Sequence, residues 1–379
     1  MKGNIDMKKL FLCIFSFLIF TSVIFSQQGL ERIKKVYPKW TTDFNKRSID
    51  LSELLPGGPP KDGIPAIINP KFTTIKFASK YLDIKEPLIV VKLNNIVKAY
   101  PLQILLFHEI VNDKFANTPV VITFCPLCYS GIVYNAKVNG FDLKFGVSGL
   151  LRNSDLVMYD QLTESFWQQF TGEAIVGEML GKKLQVLPSQ IISFQEFKKN
   201  YPYGIILSNK TGYNRPYGKN PYRNYDNIET TPFLFTGKKD NRLPQNEKVI
   251  GIKIKNIAKA YPYSITQKKK IILDEVANQQ IVIFHLQGTL SSMDKLNIKD
   301  SKDVGATGVF IPRIDTLLLS FELINNKIID KQTGSTWSIT GKATKGKLKG
   351  SQLEQIPHGD YFAFAWFAFK PNSKVYNLQ

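Results

Sequence analysis

The chain has 379 residues, of which 43% are hydrophobic and 12% aromatic, and it carries 50 basic against 31 acidic residues. This composition is sufficient for a large core and excludes a predominantly disordered chain. A net charge of +19 is common among proteins that bind nucleic acid. Because the lysines are spread along the chain, we expect no nucleic-acid partner but a basic surface able to contact anionic components of the cell envelope.

The beginning of the chain has the pattern of an export signal. Lys8 and Lys9 precede an apolar run over residues 10–25, and the small residue Ser26 ends it. This order is typical of a secretory signal peptide, and the run is slightly short for an uncleaved membrane anchor, which is the alternative. We therefore expect an exported protein, periplasmic or extracellular, from which residues 1–26 are removed.

Two parts of the chain have similar sequences. Residues 92–101 read KLNNIVKAYP and residues 253–262 read KIKNIAKAYP, and similar segments follow each of them in the same order. Such an ordered repeat indicates a duplicated structural unit. The predicted organisation is a signal peptide at 1–26, an N-terminal arm at 27–87, a first unit at 88–208, a connecting arm rich in Tyr, Asn and Pro at 209–248 and a second unit at 249–379.

Most of the predicted elements are strands. Apolar runs at Leu88–Leu93 and Val249–Ile254 each lead into a turn and a second strand, and VVITF at 120–124 is a β-branched run typical of a buried strand. Helices are predicted only over short segments, of which Leu102–Val111 and Phe194–Asn200 are the best candidates. The predicted fold is mainly β with a few short helices, in two diverged copies of one barrel- or sandwich-like unit.

A C-x-x-C motif is the most distinctive chemical feature of the first unit. Cys125 and Cys128 enclose Pro126 and Leu127, and the motif lies between two predicted strands. A thioredoxin-type motif would open a helix instead. When the two units are aligned, Cys125 is opposite His285 and has no thiol counterpart, which suggests a site in the first unit alone.

Several other reactive side chains also occur in the first unit alone. His108, Glu109 and Glu173 are opposite lysines of the second unit, and Asp155 has no clear counterpart. Carboxylates and imidazoles are the usual groups of acid–base catalysis. The candidate catalytic residues are Cys125, Cys128, His108, Glu109, Asp155 and Glu173, and the candidate metal ligands are Cys125, Cys128 and His108.

Three kinds of chemistry fit the two cysteines. Their thiolates can bind a soft or borderline metal such as zinc or copper, they can form a structural disulfide, or they can act as a reactive dithiol. The leading hypothesis is an exported metal-binding or thiol-redox protein. The alternatives are a non-catalytic cell-envelope binding module with a structural disulfide, and a hydrolase that uses Glu109 or Asp155.

Long segments of the chain resemble a bacterial and archaeal family known only as a domain of unknown function. The similar segments are FCPLC (124–128), FGVSGLLRNSDLVMYD (145–160), WQQFTGEAIVGE (167–178), HEIVND (108–113) and TGYNRPYG (211–218). The resemblance covers roughly residues 60–370 and implies no established activity. It implies that the following residues lie in the characteristic segments of the family: His108, Glu109, Cys125, Cys128, Asn153, Ser154, Asp155 and Glu173.

The signal-like segment leads to a first prediction. The exported protein should begin near Gln27, because signal peptidases cut after small residues such as Ser26. Intact-mass measurement of the exported protein checks this, and a mass that still includes residues 7–26 would contradict it.

Overall fold

The structure is a computed structural model that describes residues 27–377. The predicted signal peptide lies outside these residues. Strands predominate, so the mainly β class predicted from the sequence is confirmed. None of the helices within 27–377 has the length and apolar character needed to cross a membrane. The helices are α1 (27–36), α2 (Ile75–Ala78), α3 (Leu102–His108), α4 (Phe194–Asn200), α5 (Tyr263–Lys269) and α6 (Ala363–Phe369).

In the described part of the chain, sixteen strands precede the connecting segment. They are β1 (Leu55–Pro56), β2 (Phe72–Thr74), β3 (Pro87–Leu93), β4 (Ile96–Pro101), β5 (Ile110–Phe115), β6 (Thr118–Cys125), β7 (Ser130–Asn135), β8 (Lys137–Val138), β9 (Phe141–Asp142), β10 (Phe145–Arg152), β11 (Asp155–Asp160), β12 (Phe166–Gln168), β13 (Glu173–Val176), β14 (Gln185–Leu187), β15 (Ser189–Ser193) and β16 (Ile205–Leu207).

Thirteen strands follow the connecting segment. They are β17 (Lys248–Ile254), β18 (Ile257–Pro262), β19 (Ile271–Val276), β20 (Gln279–Leu286), β21 (Ala306–Phe310), β22 (Arg313–Ile314), β23 (Leu317–Leu318), β24 (Phe321–Ile324), β25 (Lys327–Asp330), β26 (Thr336–Trp337), β27 (Ala343–Lys345), β28 (His358–Phe362) and β29 (Lys374–Val375).

The described strands form eight sheets, and all of them stay open, so none is a barrel. Before the connecting segment the strand orders are β1-β10-β11-β12-β13, β14-β7-β6-β5, β15-β3-β4-β16-β2 and the hairpin β8-β9. After it they are β28-β17-β18-β29, β19-β20-β21, β24-β25-β26-β27 and the hairpin β22-β23. Most neighbouring strands are antiparallel, and the parallel pairs are β4–β16 and β18–β29.

Two places in the fold carry closely similar polar contacts. The carboxylate of Asp113 on β5 accepts hydrogen bonds from Lys98 at 2.8 Å and from Tyr100 at 2.6 Å, both on β4. The carboxylate of Asp274 on β19 accepts hydrogen bonds from a lysine and a tyrosine of β18 at 2.6 and 2.9 Å. Each of these half-buried aspartates thus joins one sheet to the next with its charge compensated.

The first predicted helix is shorter in the structure than in the sequence analysis. Helix α3 ends at His108, whereas the apolar pattern predicted a helix to Val111. Glu109 has a φ of +54°, which stops the helical hydrogen-bond pattern, and Ile110 then begins a strand paired with β6. The second predicted helix, Phe194–Asn200, has the predicted bounds.

The connecting segment packs against the body of the protein although residues 209–247 form neither helix nor regular strand. Its aromatic side chains Tyr217, Tyr222, Tyr225 and Phe235 contact the largest apolar cluster of the described chain. That cluster includes residues of β5–β7 together with α6. The segment therefore covers one side of the central strands β6 and β7.

Removal of the buried carboxylate of Asp160 should lower the free energy of unfolding substantially. Asp160 accepts a hydrogen bond from the fully buried Trp167 indole at 2.9 Å and two from Thr163. The substitution Asp160→Ala leaves these donors without a partner, so it should lower the free energy of unfolding by about 2–4 kcal/mol. Asp142→Ala, which removes an exposed ion pair with Lys114, is the control and should cost less than about 1 kcal/mol. Urea denaturation measures both, and equal losses would contradict the prediction.

Candidate metal centre

The C-x-x-C motif forms a tight turn between two central strands, as its sequence context predicted. Strand β6 ends at Cys125, residues Pro126–Cys128 make one 3-10 turn, and β7 begins at Ser130. Proline suits the first position of such a turn because its missing N–H needs no partner there. Tyr129 follows with a φ of +52°, a left-handed conformation that reverses the chain.

The side chain of Asp155 lies next to the cysteine turn although Asp155 belongs to a different sheet. Strands β10 and β11 are joined by Asn153 and Ser154, whose φ values of +51° and +68° are those of a two-residue hairpin turn. Asp155 is the first residue of β11. The turn therefore directs its carboxylate toward the end of β6, and the Sγ of Cys125 lies 3.8 Å from the carbonyl oxygen of Ser154.

Cys125, Cys128 and Asp155 form one compact cluster. One ligand atom from each residue lies within 4.8 Å of those of the other two, and the residues are at most 1% exposed. Both cysteines are free thiols. Burial raises the pKa of both thiols, and that of Cys128 lies well above its usual range. Burial also raises the pKa of Asp155 to about 7, against the opposing effect of its hydrogen bonds.

Neighbouring amides fix the carboxylate of Asp155. The side chain of Gln168 donates to Oδ2 at 2.6 Å, and the backbone N–H of Phe170 donates to the same oxygen at 2.9 Å. The adjacent Gln169 donates to Thr123 at 2.7 Å and accepts from Ser130 at 2.8 Å. The residue that follows β12 is thus bonded to β6 and β7, so the groups around the cluster cannot rotate independently.

Glu109 is a second buried carboxyl beside this cluster. It is 7% exposed, and within residues 27–377 its side chain forms neither an ion pair nor a hydrogen bond. Burial, together with the nearby Asp155, raises the pKa of Glu109 to about 8. At neutral pH the group is therefore largely protonated, and it can give or take a proton near physiological pH.

A cavity of about 450 Å³ adjoins the cluster. Glu109, Leu127 of the cysteine turn and Leu156 next to Asp155 lie on its wall, with Tyr222 and Tyr225 of the connecting segment among the other lining residues. Most of the wall is apolar, as in small-molecule sites. Among the described residues that line it, Glu109 is the one acidic side chain and Arg223 the one basic side chain.

His108 lies near Glu109 in sequence but outside the cluster. Its Nδ1 is 2.7 Å from the carbonyl oxygen of Pro65 and its Nε2 is 2.6 Å from the hydroxyl of Tyr217. Because a carbonyl only accepts, Nδ1 must donate, and Nε2 then accepts from the tyrosine in a neutral ring. Burial lowers the pKa of His108, which keeps the ring neutral. Both ring nitrogens are thus engaged in joining the N-terminal and connecting segments.

Glu173 also lies apart from the cluster. Its carboxylate forms an ion pair with Lys183 at 2.5 Å, and its side chain is 47% exposed. Partial burial acts in the opposite direction, but the hydrogen bond and charge of Lys183 hold the pKa of Glu173 below its usual value. Of the predicted residues, the structure thus brings together Cys125, Cys128, Asp155 and, beside them, Glu109.

The sequence analysis missed the residues that support the cluster. Gln168 and Gln169 were noted only as part of a family segment. In the second half the residues after the corresponding tryptophan are Ser338 and Ile339, so the pair of amides is also specific to the first half. The same comparison could not identify Tyr222 and Tyr225, because the connecting segment occurs once and has no similar segment elsewhere in the sequence.

The fold and this cluster define a β-rich protein with a buried Cys–Cys–Asp site beside an apolar cavity. The family model described as "Protein of unknown function (DUF3179)" matches residues 61–373, and the chain belongs to this family. Searches of curated proteins and of solved structures give no match.

The buried carboxyl of Glu109 predicts a pH dependence of stability. The folded state keeps the proton up to about pH 8, whereas the unfolded chain loses it near pH 4.3. Because the folded state binds more protons between these values, the free energy of unfolding should fall as the pH rises through this window. In metal-free protein, Glu109→Gln should make this decline shallower.

Urea denaturation at several pH values in the presence of a chelator measures this effect. Glu86, whose pKa is also raised to about 8 by burial, contributes equally to both proteins, so their difference isolates Glu109. Glu173→Gln is the control, because that pKa is lowered and its loss cannot make the decline shallower. Superimposable curves for wild type and Glu109→Gln would disprove the prediction.

Proposed function

We propose that this is an exported metal-binding protein whose centre is formed by Cys125, Cys128 and Asp155. The observation that carries the proposal is the convergence of two thiols and a carboxylate, all buried, within 4.8 Å. Glu109 lies beside these ligands and faces the adjoining cavity. In this proposal it exchanges protons with a molecule bound there, and it is not a ligand.

The charge balance of the site supports a bound cation. Within residues 27–377, the largest influences on the pKa values of Cys125, Cys128 and Asp155 are burial and neighbouring thiol, carboxyl, amide and backbone groups, not a lysine or arginine. Buried acidic groups are normally paired with a positive charge or bound to a metal. Metal binding displaces the protons of such ligands, so the raised pKa values make binding stronger at higher pH.

The types of ligand favour zinc among the metals considered. Thiolates attract both zinc and Cu(I), but the carboxylate of Asp155 is a harder ligand that suits a divalent ion better. Three protein ligands are also the number found in catalytic zinc sites, where the ion lowers the pKa of a bound water. The protein itself contributes the fixed carboxylate, the proton-exchanging Glu109 and an apolar cavity that limits access of bulk water.

A thiol-redox function is the second candidate, because Cys125 and Cys128 are close enough to affect each other's pKa. An attacking thiol is normally activated by a lowered pKa and an accessible sulfur. Here burial raises both pKa values and both thiols are inaccessible. The metal-binding proposal accounts for these features, whereas the redox proposal requires the tyrosines over the site to move.

We further infer that the chain contains two diverged copies of one unit, 88–208 and 249–379. In support, α3 and α5 occupy the same place between a hairpin and the next strand pair, and both are followed by residues with positive φ, Glu109 and Lys270. The N–H of Phe124 bonds the carbonyl of Glu109, and the N–H of His285 bonds that of Lys270, each at 2.8 Å. These bonds favour aligning His285 with Phe124 instead of Cys125.

Export is proposed from the sequence of residues 1–26, which lie outside the described part of the chain. The reducing cytoplasm and the oxidising periplasm would affect free thiols differently. A bound metal would protect Cys125 and Cys128 from oxidation after export, because thiolate ligands are less available for reaction. Both parts of the proposal are therefore compatible with each other.

The metal-binding proposal predicts specific losses of metal. The protein purified from the exported fraction should contain about one zinc per chain, the stoichiometry of a single centre. Cys128→Ser and Asp155→Asn should each weaken binding by at least about 100-fold, since changes around a ligand alone cost about 10–100-fold. Gln168→Leu should fall within that smaller range. Elemental analysis and competition with a zinc chelator measure these effects.

Two variants act as controls for that experiment. Glu173→Gln removes a carboxylate that is on the same sheet as Asp155 but outside the cluster. Glu109→Gln removes the carboxyl that faces the cavity. Both should keep the metal. A wild-type protein that neither contains nor binds zinc or copper, and whose two thiols oxidise readily to a disulfide, would support the redox alternative and end this proposal.

A further inference from the structure

A second cavity, of about 280 Å³, is lined by residues of β7, β17, β28 and α6. Three of its lining residues are aromatic: Phe170, Tyr361 and Trp366. The rings of Tyr361 and Trp366 have centroids 5.3 Å apart, and those of Phe170 and Tyr361 are 4.8 Å apart. The cavity therefore has a continuous aromatic wall.

The aromatic wall is held in place by its surroundings. Trp366 donates its indole N–H to Ser373 at 2.7 Å, and its ring lies over Gly251 of β17, where any Cβ would come within 2.2 Å of the ring. The hydroxyl of Tyr361 has no hydrogen-bond partner among the described residues although Tyr361 is only 8% exposed. A bound molecule can therefore accept a hydrogen bond from it.

Lysines line the same cavity. Lys253 and Lys370 form no ion pair with any described residue, and Lys183 is paired with Glu173. Three lysines and one glutamate give a formal charge of +2 (3 − 1). Like charges placed this close are unfavourable unless an anion lies between them.

We propose that this cavity binds a small carboxylate attached to a ring with a flat apolar face. Lys253 and Lys370 bind the carboxylate, Tyr361 donates a hydrogen bond, and the ring lies against Phe170 and Trp366. A volume of about 280 Å³ exceeds the roughly 150 Å³ of a cavity that binds benzene, so a single sugar or aromatic ring with its carboxylate fits. A sugar acid of an envelope polysaccharide and a free aromatic acid share this chemistry.

The lowered pKa of Lys370 makes the proposed binding of a carboxylate dependent on pH. Burial, with the charges of Lys253 and Lys183, lowers the pKa of Lys370 to about 8, and Glu173 acts in the opposite direction. His358 on β28 also lines the cavity, and burial lowers its pKa, so it is neutral at pH 7. The affinity for a carboxylate should therefore fall as the pH rises through about 8, because Lys370 loses its charge.

Isothermal titration calorimetry of the mature protein tests this proposal with four probes: glucuronate, its neutral counterpart glucose, benzoate and inorganic phosphate. At pH 7 at least one ring carboxylate should bind more tightly than glucose and phosphate. Lys370→Gln and Lys253→Gln should each weaken that binding by roughly 10- to 100-fold, the value of a charge-assisted hydrogen bond. Lys92→Gln is the matched control, because Lys92 is an exposed strand residue at the corresponding position of β3 and does not line the cavity.

The probes also separate the two sources of the carboxylate. Binding of glucuronate alone identifies a sugar acid, and binding of benzoate alone identifies an aromatic acid. Binding should persist in Cys128→Ser, which separates this site from the proposed metal centre. The proposal is overturned if no ring carboxylate binds at millimolar concentration, if phosphate binds as tightly, or if both lysine variants bind like wild type with unchanged melting temperatures.

Discussion

Desolvation of acidic side chains is the constraint on which the arrangement of this protein depends. Two thiols and two carboxyls are enclosed where β6, β7 and β11 meet, and among the described residues no lysine or arginine is a leading influence on their pKa values. Each group therefore prefers its neutral form, and Asp155 accepts short hydrogen bonds from Gln168 of β12 and from the backbone N–H of Phe170. This is the physical basis of the proposed metal centre, because a bound cation would make the charged forms of these groups favourable.

The second half of the protein holds the cysteine turn in place. Tyr129, which ends the turn with a positive φ, lies under Lys248 of β17, whose Nζ is 3.7 Å from the ring centroid. The connecting segment covers the other side of the turn with Tyr222 and Tyr225. The site is therefore enclosed by parts of the chain that are far apart in sequence, and its rigidity depends on the complete fold.

The sequence predicted well those features that depend on residues close together in the chain, and those in which the two halves of the chain differ. It predicted the turn between two strands at Cys125, the helix at Phe194 and the concentration of reactive groups in the first half. It could not show that His108 bonds Pro65 and Tyr217, because both partners are distant in sequence. It overextended the helix before Glu109, because apolar periodicity continues into β5 and a single positive φ decides the boundary.

Phe170 connects the two sides of the molecule in a way that no sequence pattern reveals. Its backbone N–H bonds Asp155 at 2.9 Å, while its ring forms part of the aromatic wall of the basic cavity. Coupling between two sites requires that a ligand interact differently with two arrangements of a shared element. Coupling between the proposed metal centre and the proposed carboxylate site through Phe170 therefore requires two arrangements of this residue that the two ligands bind with different affinity.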